Sequence, residues 1–211
     1  EILSGVVDSA SILEISTFDE INLAAQPDFE TINVSNDYVG IDISIDSNVP
    51  MNIEWIVDKK LSDFENQMYQ YFADFNVWLP INFSLVNDST ASFQANGPAK
   101  FSFLESNDSE KPSLWASINN QTYLEDIYIN KNPNITISVY DKNGIDYRTS
   151  NLDVGLNGQF DGSLEPTISG SANNLNLDFS PTLTSLDSTL SILMKDATGN
   201  ISDTFSVDRK S

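Results

Sequence analysis

The strongest constraint in this sequence is an apolar–polar alternation of period two that stops at turn formers and then resumes. Ile41, Ile43 and Ile45 alternate with Asp42, Ser44 and Asp46, the pattern of a strand with one dry and one wet face. Ser47-Asn48-Val49-Pro50 interrupts it, because Pro50 has no N–H to give to a ladder. Met51, Ile53, Trp55 and Val57 then take it up again. Val77, Leu79, Ile81, Phe83 and Leu85 alternate strictly, predicting one strand across 77–86, with Pro80 marking an edge or an end. Further strands are predicted at 91–95, 100–104, 114–118, 124–129, 135–140, 152–156, 167–169, 175–179, 189–194 and 204–207, and a short one at Ile21 and Leu23. Turn signals every 8 to 12 residues or so are the spacing of an all-β sandwich or barrel.

One stretch changes period. Ser62-Asp63-Phe64-Glu65 has the form of a capping box, and Phe64, Met68, Tyr71, Phe72 and Phe75 lie on one stripe of a helix. The spacing predicts an inserted amphipathic helix over about residues 62–75, its aromatic stripe turned to the core.

Residues 1–16, EILSGVVDSASILEIS, are expected to form a strand with apolar residues on both faces, which favours burial between layers or against another subunit. An ordinary first strand with a bulge at Gly5 and a strand donated to a neighbour are both open at this point. The remainder, 17–211, reads as one elaborated β-sandwich domain; the alternative is two small β domains meeting near Asn107–Pro112 (NDSEKP). The chain opens on Glu1 without an initiator methionine, as expected of a processed or trimmed chain.

Composition enters through what it excludes. A net charge of −21 with ten Lys and Arg leaves no basic patch for nucleic acid or an anionic membrane. The acidic residues stand singly between apolar ones, as outer strand faces require. Without cysteine or histidine there is no disulfide, catalytic triad, thiol nucleophile or usual zinc site, and no phosphate-binding glycine loop occurs. Among 31 acidic residues nothing selects a catalytic pair, so no enzyme is expected. No apolar run approaches the roughly 18 residues of a spanning helix, so no membrane insertion is expected.

Asp141-x-Asn143-Gly144-x-Asp146 has the opening spacing of an oxygen-ligand calcium loop but lacks a later bidentate Glu; a plain hairpin turn is the simpler expectation. The acidic loops 153–161 and 196–203 are similar. Seven N-x-[ST] sequons occur: Asn33, Asn87, Asn107, Asn120, Asn134 and Asn200 are candidate glycosylation sites, and Asn82 falls in a predicted strand where only an outward side chain could be modified.

The apolar first strand, the early SNDYVGIDISIDSNVPMNIEW and the closing LSILMKDATGNISDTFSVD together resemble the Ig-like subunits of prokaryotic surface filaments and pili. The resemblance covers some 70 residues at the two ends and omits the stretch from Val77 to Tyr140. It implies an Ig-like or jelly-roll sandwich that lacks a strand, completed by a neighbour's terminal extension. Residues 2–13 would be the donor, with Leu3, Val7 and Leu13 in pockets and Gly5 where the groove narrows. Such a head-to-tail contact does not close on itself and grows a homopolymer. The expected function is therefore an extracellular structural subunit. A secreted adhesion or carbohydrate-binding module, presenting Trp78 and Trp115 on one face, is the alternative. A lipid-binding β-barrel with the aromatic helix inside is the third.

Overall fold

The computed structural model describes residues 13–35, 37–45, 50–64, 67–123, 129–157, 159–160, 164–183 and 188–209. Its strands are all paired antiparallel, and the chain divides into two compact units, residues 1–107 and 108–211. The division falls at the start of the polar stretch Asn107–Pro112.

Unit 1 contains β1 (Leu13–Phe18), β2 (Phe29–Thr31), β3 (Gly40–Ile45), β4 (Met51–Ile56), a 3-10 turn (Leu61–Phe64), β5 (Met68–Phe72), β6 (Val77–Pro80), β7 (Ser84–Asn87), β8 (Thr90–Ala95) and β9 (Ala99–Ser106). One sheet runs β1-β3-β9-β5-β6, with β2 added on β9; the other runs β4-β8-β7. The alternation sets the packing. Ile41, Ile43 and Ile45 of β3 and Phe101 and Phe103 of β9 meet Met51, Ile53 and Trp55 of β4 and Phe93 of β8 in one core. Phe93 lies 4.7 Å from Phe101 and Trp55 5.2 Å from Phe103, between ring centres. Gly40 has a steric reason: a Cβ there would strike the ring of Phe18, its partner on β1, and the carbonyl of Phe101.

The inserted helix predicted over 62–75 is not present. A 3-10 turn ends at Phe64, and Met68–Phe72 is a strand that pairs with β9 on one side and β6 on the other. Two β neighbours satisfy its backbone, which outweighs a stripe that also fits a helix, and Tyr and Phe suit a sheet. The turn into β6 places Asn76 at φ 52, with its Oδ1 accepting from Tyr71 Oη at 2.8 Å. The single strand predicted across 77–86 is two. Val77–Pro80 belongs to the larger sheet, and Ser84–Asn87 crosses to the smaller one. Pro80 closes the first piece. No strand forms at Ile21 and Leu23; the chain turns there instead, through the Gln26 N–H donated to Leu23 O at 2.7 Å.

Gln26 itself is 1% exposed and does a strand's work for β6. Its Nε2 donates to Trp78 O at 2.9 Å, and its Oε1 accepts from Trp78 N at 2.8 Å. One side-chain amide thus reproduces a ladder pair at the outer edge of the sheet.

Unit 2 contains β10 (Ser113–Ile118), β11 (Gln121–Thr122), β12 (Ile135–Tyr140), a 3-10 turn (Thr149–Asn151), β13 (Leu152–Leu156), β14 (Gln159–Phe160), β15 (Thr167–Ser171), β16 (Asn174–Phe179), β17 (Ser188–Met194) and β18 (Phe205–Arg209). Its sheets run β11-β10-β12-β16-β15 and β14-β13-β17-β18. Ile135, Ile137, Val139, Leu175 and Leu177 are buried on one, and Leu190, Ile192 and Met194 on the other. The strand predicted at 124–129 lies outside the described residues except for Ile129, which is buried.

Candidate cation site

The described residues bring three aspartates of unit 2 together from three separate parts of the sequence. Asp141 follows the last residue of β12, Asp196 stands two residues beyond β17, and Asp108 opens the unit. One carboxylate oxygen from each lies within 4.8 Å of the others.

Each is placed by local chemistry. Asp141 Oδ1 accepts from Asn143 N at 2.7 Å, an Asx turn that bends the chain away from the sheet, and Gly144 follows at φ 99. That bend is tied to the second loop: Ala197 N donates to Gly144 O at 2.9 Å, Asp146 N to Lys195 O at 3.0 Å, and Ile145 bridges Asp196. In Asp196-Ala-Thr-Gly-Asn200 the aspartate organises its own turn. Its Oδ1 accepts from Thr198 N, Thr198 Oγ1 and Asn200 N, each at 2.8 Å, and its Oδ2 from Asn200 Nδ2 at 2.8 Å. Asn200 Nδ2 also reaches Asp108 O at 3.4 Å, and Asp108 Oδ1 accepts from Glu110 N at 3.1 Å.

Burial makes the cluster electrostatically costly. Asp196 is fully buried and Asp141 4% exposed, while Asp108 is half-buried. Loss of water pushes the Asp141 carboxyl up to about 6, and Asp196, Asp108 and Glu110 add to this against the opposing Asn143 N–H. Burial raises Asp196 as well, despite the hydrogen bonds from Thr198 and Asn200. Among the described residues, the ion pairs engage Asp42, Asp203, Glu110 and Asp146 rather than Asp141 or Asp196. Three carboxylates at this spacing supply part of the oxygen set a hard divalent cation takes, calcium above all, with six to eight ligands in flexible geometry.

The motif Asp141-x-Asn143-Gly144-x-Asp146 therefore splits. Asp141 enters the cluster, whereas Asp146 is 1% exposed and held by Arg148, whose Nε donates to it at 2.8 Å, and by Asn151 Nδ2 at 2.9 Å. Nor is it a plain hairpin turn, since the chain leads from β12 to β13, which lies in the other sheet of the unit. In the loop 153–161, Asp153 lies on β13 and is exposed. The motif's spacing found Asp141 alone; Asp196 lies 55 positions further along the chain, and only the paired loops join them.

The other candidates stand elsewhere. Leu3, Gly5 and Val7 lie outside the described residues; Leu13 begins β1, opposite Ile45. Asn33, Asn87, Asn107, Asn120 and Asn134 are exposed, and Asn82 is exposed in the break between β6 and β7 rather than in a strand. Asn200 is half-buried, and its Nδ2, the atom a glycan would join, donates to Asp196 Oδ2. Trp78 is buried in unit 1 at 4%, so it cannot share an exposed face with Trp115, which is 46% exposed in unit 2. Among the described residues no helix is long and apolar enough to cross a membrane. No protein-family model, curated protein or solved structure matches the chain.

Proposed function

We propose that the chain is a structural subunit of an extracellular surface filament or pilus, built on Ig-like sandwiches and polymerised by donation of its N-terminal strand to a neighbouring copy. The observation that carries this reading is the position of β1. It is an edge strand of its sheet, and the apolar segment Ile2–Ile12 runs directly into it. Leu13 is committed to its own sheet opposite Ile45, so the donor narrows to residues 2–12.

An edge able to accept such a strand needs free ladder groups and an apolar rim. β7 supports the reading: it ends its sheet, every residue is exposed, and Leu85 and Val86 stand 37% and 54% exposed. Calcium is the ion the carboxylate cluster would take in that setting, where affinities in the range 10⁻⁴–10⁻³ M suffice for extracellular modules.

Removal of residues 1–12 tests the assembly. The full chain should form fibres in negative-stain images, and the shortened chain discrete particles. Fibres of equal length from both chains would sink the proposal.

A further inference from the structure

We propose that the outer face of the five-stranded sheet of unit 2 binds a neutral glycan, with Trp115 and Tyr140 as the platform for its sugar rings. This goes beyond the filament reading and does not depend on it.

The register defines the face. Trp115 lies opposite Ser138, which lies opposite Asn176; Tyr140 lies opposite both Ser113 and Asn174. Cross-strand partners share a side of the sheet, so the two aromatic residues are diagonal neighbours on adjacent strands, within reach of one ligand. Leu114, Ala116, Ile137, Val139, Leu175 and Leu177 take the opposite side. Trp115 at 46% and Tyr140 at 49% exposed are thus large apolar surfaces held in water on a rigid sheet.

Charge selects the partner. The chain carries −21, yet Asp178 is the one charged side chain that the register places on this face, and it accepts from Thr136 Oγ1 at 2.5 Å. Among the described strand residues of this face, an anionic ligand finds no Lys or Arg, and a cationic one finds a single engaged carboxylate. Around the two rings stand hydroxyls and amides, which exchange hydrogen bonds with hydroxyl groups in both directions. Ser138 Oγ already donates to Asn176 Oδ1 at 2.8 Å, which fixes the amide and turns its NH₂ free to donate. Flat apolar rings set among neutral donors and acceptors match a pyranose, which has C–H faces and a hydroxyl rim.

The test uses the full chain, Trp115→Ala, Tyr140→Ala and a panel of neutral polysaccharides (β-glucan, mannan, galactan, chitin), with alginate and heparin as charged controls. At least one neutral polymer should retain the full chain on an affinity gel, and each variant should lose about tenfold or more in affinity. Both positions are exposed, so the unfolding temperatures should match the parent's. Retention by no neutral polymer, equal retention by both variants, or preference for a charged polymer would each overturn the proposal. So would self-association that disappears in Trp115→Ala without any glycan binding, since the face would then belong to a second copy.

Discussion

At the scale of single residues, the carboxylate cluster makes the sharpest claims. Asp141 has a folded pKa of about 6 against an ordinary 3.8, so the folded chain holds a proton that the unfolded chain has already released. Its carboxyl therefore disfavours folding increasingly as the pH rises from about 4 to 6, by at most about 3 kcal/mol. Urea unfolding in chelator should show stability falling across that window, and Asp141→Asn should flatten the fall. An unchanged slope in the variant would remove Asp141 from the account. Calcium should act oppositely, because it favours the ionised form: at one hundred times its Kd it adds about 2.7 kcal/mol, a rise of several degrees in Tm. That rise should be absent in Asp196→Asn; calorimetry with and without chelator decides it. Gly40→Ala is a separate case, driving a methyl into Phe18 and Phe101 O at a cost of about 1–3 kcal/mol, read as a lower urea midpoint. Neither the cluster nor this clash was legible beforehand. Asp141 stood out by its spacing to Asn143 and Gly144, but Asp108 and Asp196 reach it through pairings that sequence neighbours do not reveal.

Among elements, four strands of regular alternation were legible. Gly40–Ile45, Met51–Ile56, Ile135–Tyr140 and Asn174–Phe179 lie where the period put them, since one face of each meets a core. Residues 62–75 misled because Phe64, Met68, Tyr71 and Phe72 fit a helical stripe as well as a strand, and the pairing of Met68–Phe72 with β9 and β6 decided between them. The alternation through 77–85 hid a change of sheet for a related reason: side chains can keep alternating while the backbone changes partners. Gln26 gives the element-scale prediction. Gln26→Leu leaves the buried N–H and C=O of Trp78 without their partner, at a cost of about 2–4 kcal/mol. Gln26→Glu keeps the acceptor for Trp78 N but can donate to Trp78 O only when protonated, so it should cost less in acid than at neutral pH. The two variants compared by thermal unfolding separate lost hydrogen bonding from altered packing.

For the whole molecule, the division at Asn107 and Asp108 makes a simple prediction. All three carboxylates belong to residues 108–211, so that fragment alone should keep the full calcium response, and residues 1–107 should show none. A response that requires both fragments would contradict a site confined to unit 2. The bonds of Gln26 also bear on the proposed strand addition. Once a side chain occupies the rim of β6, no incoming strand can add there without first evicting an amide. The larger sheet of unit 1 is therefore closed to newcomers at that end, which leaves β1 at its other edge and β4 and β7 at the edges of the smaller sheet. In the proposed polymer, one glutamine would thus decide where the next copy cannot land.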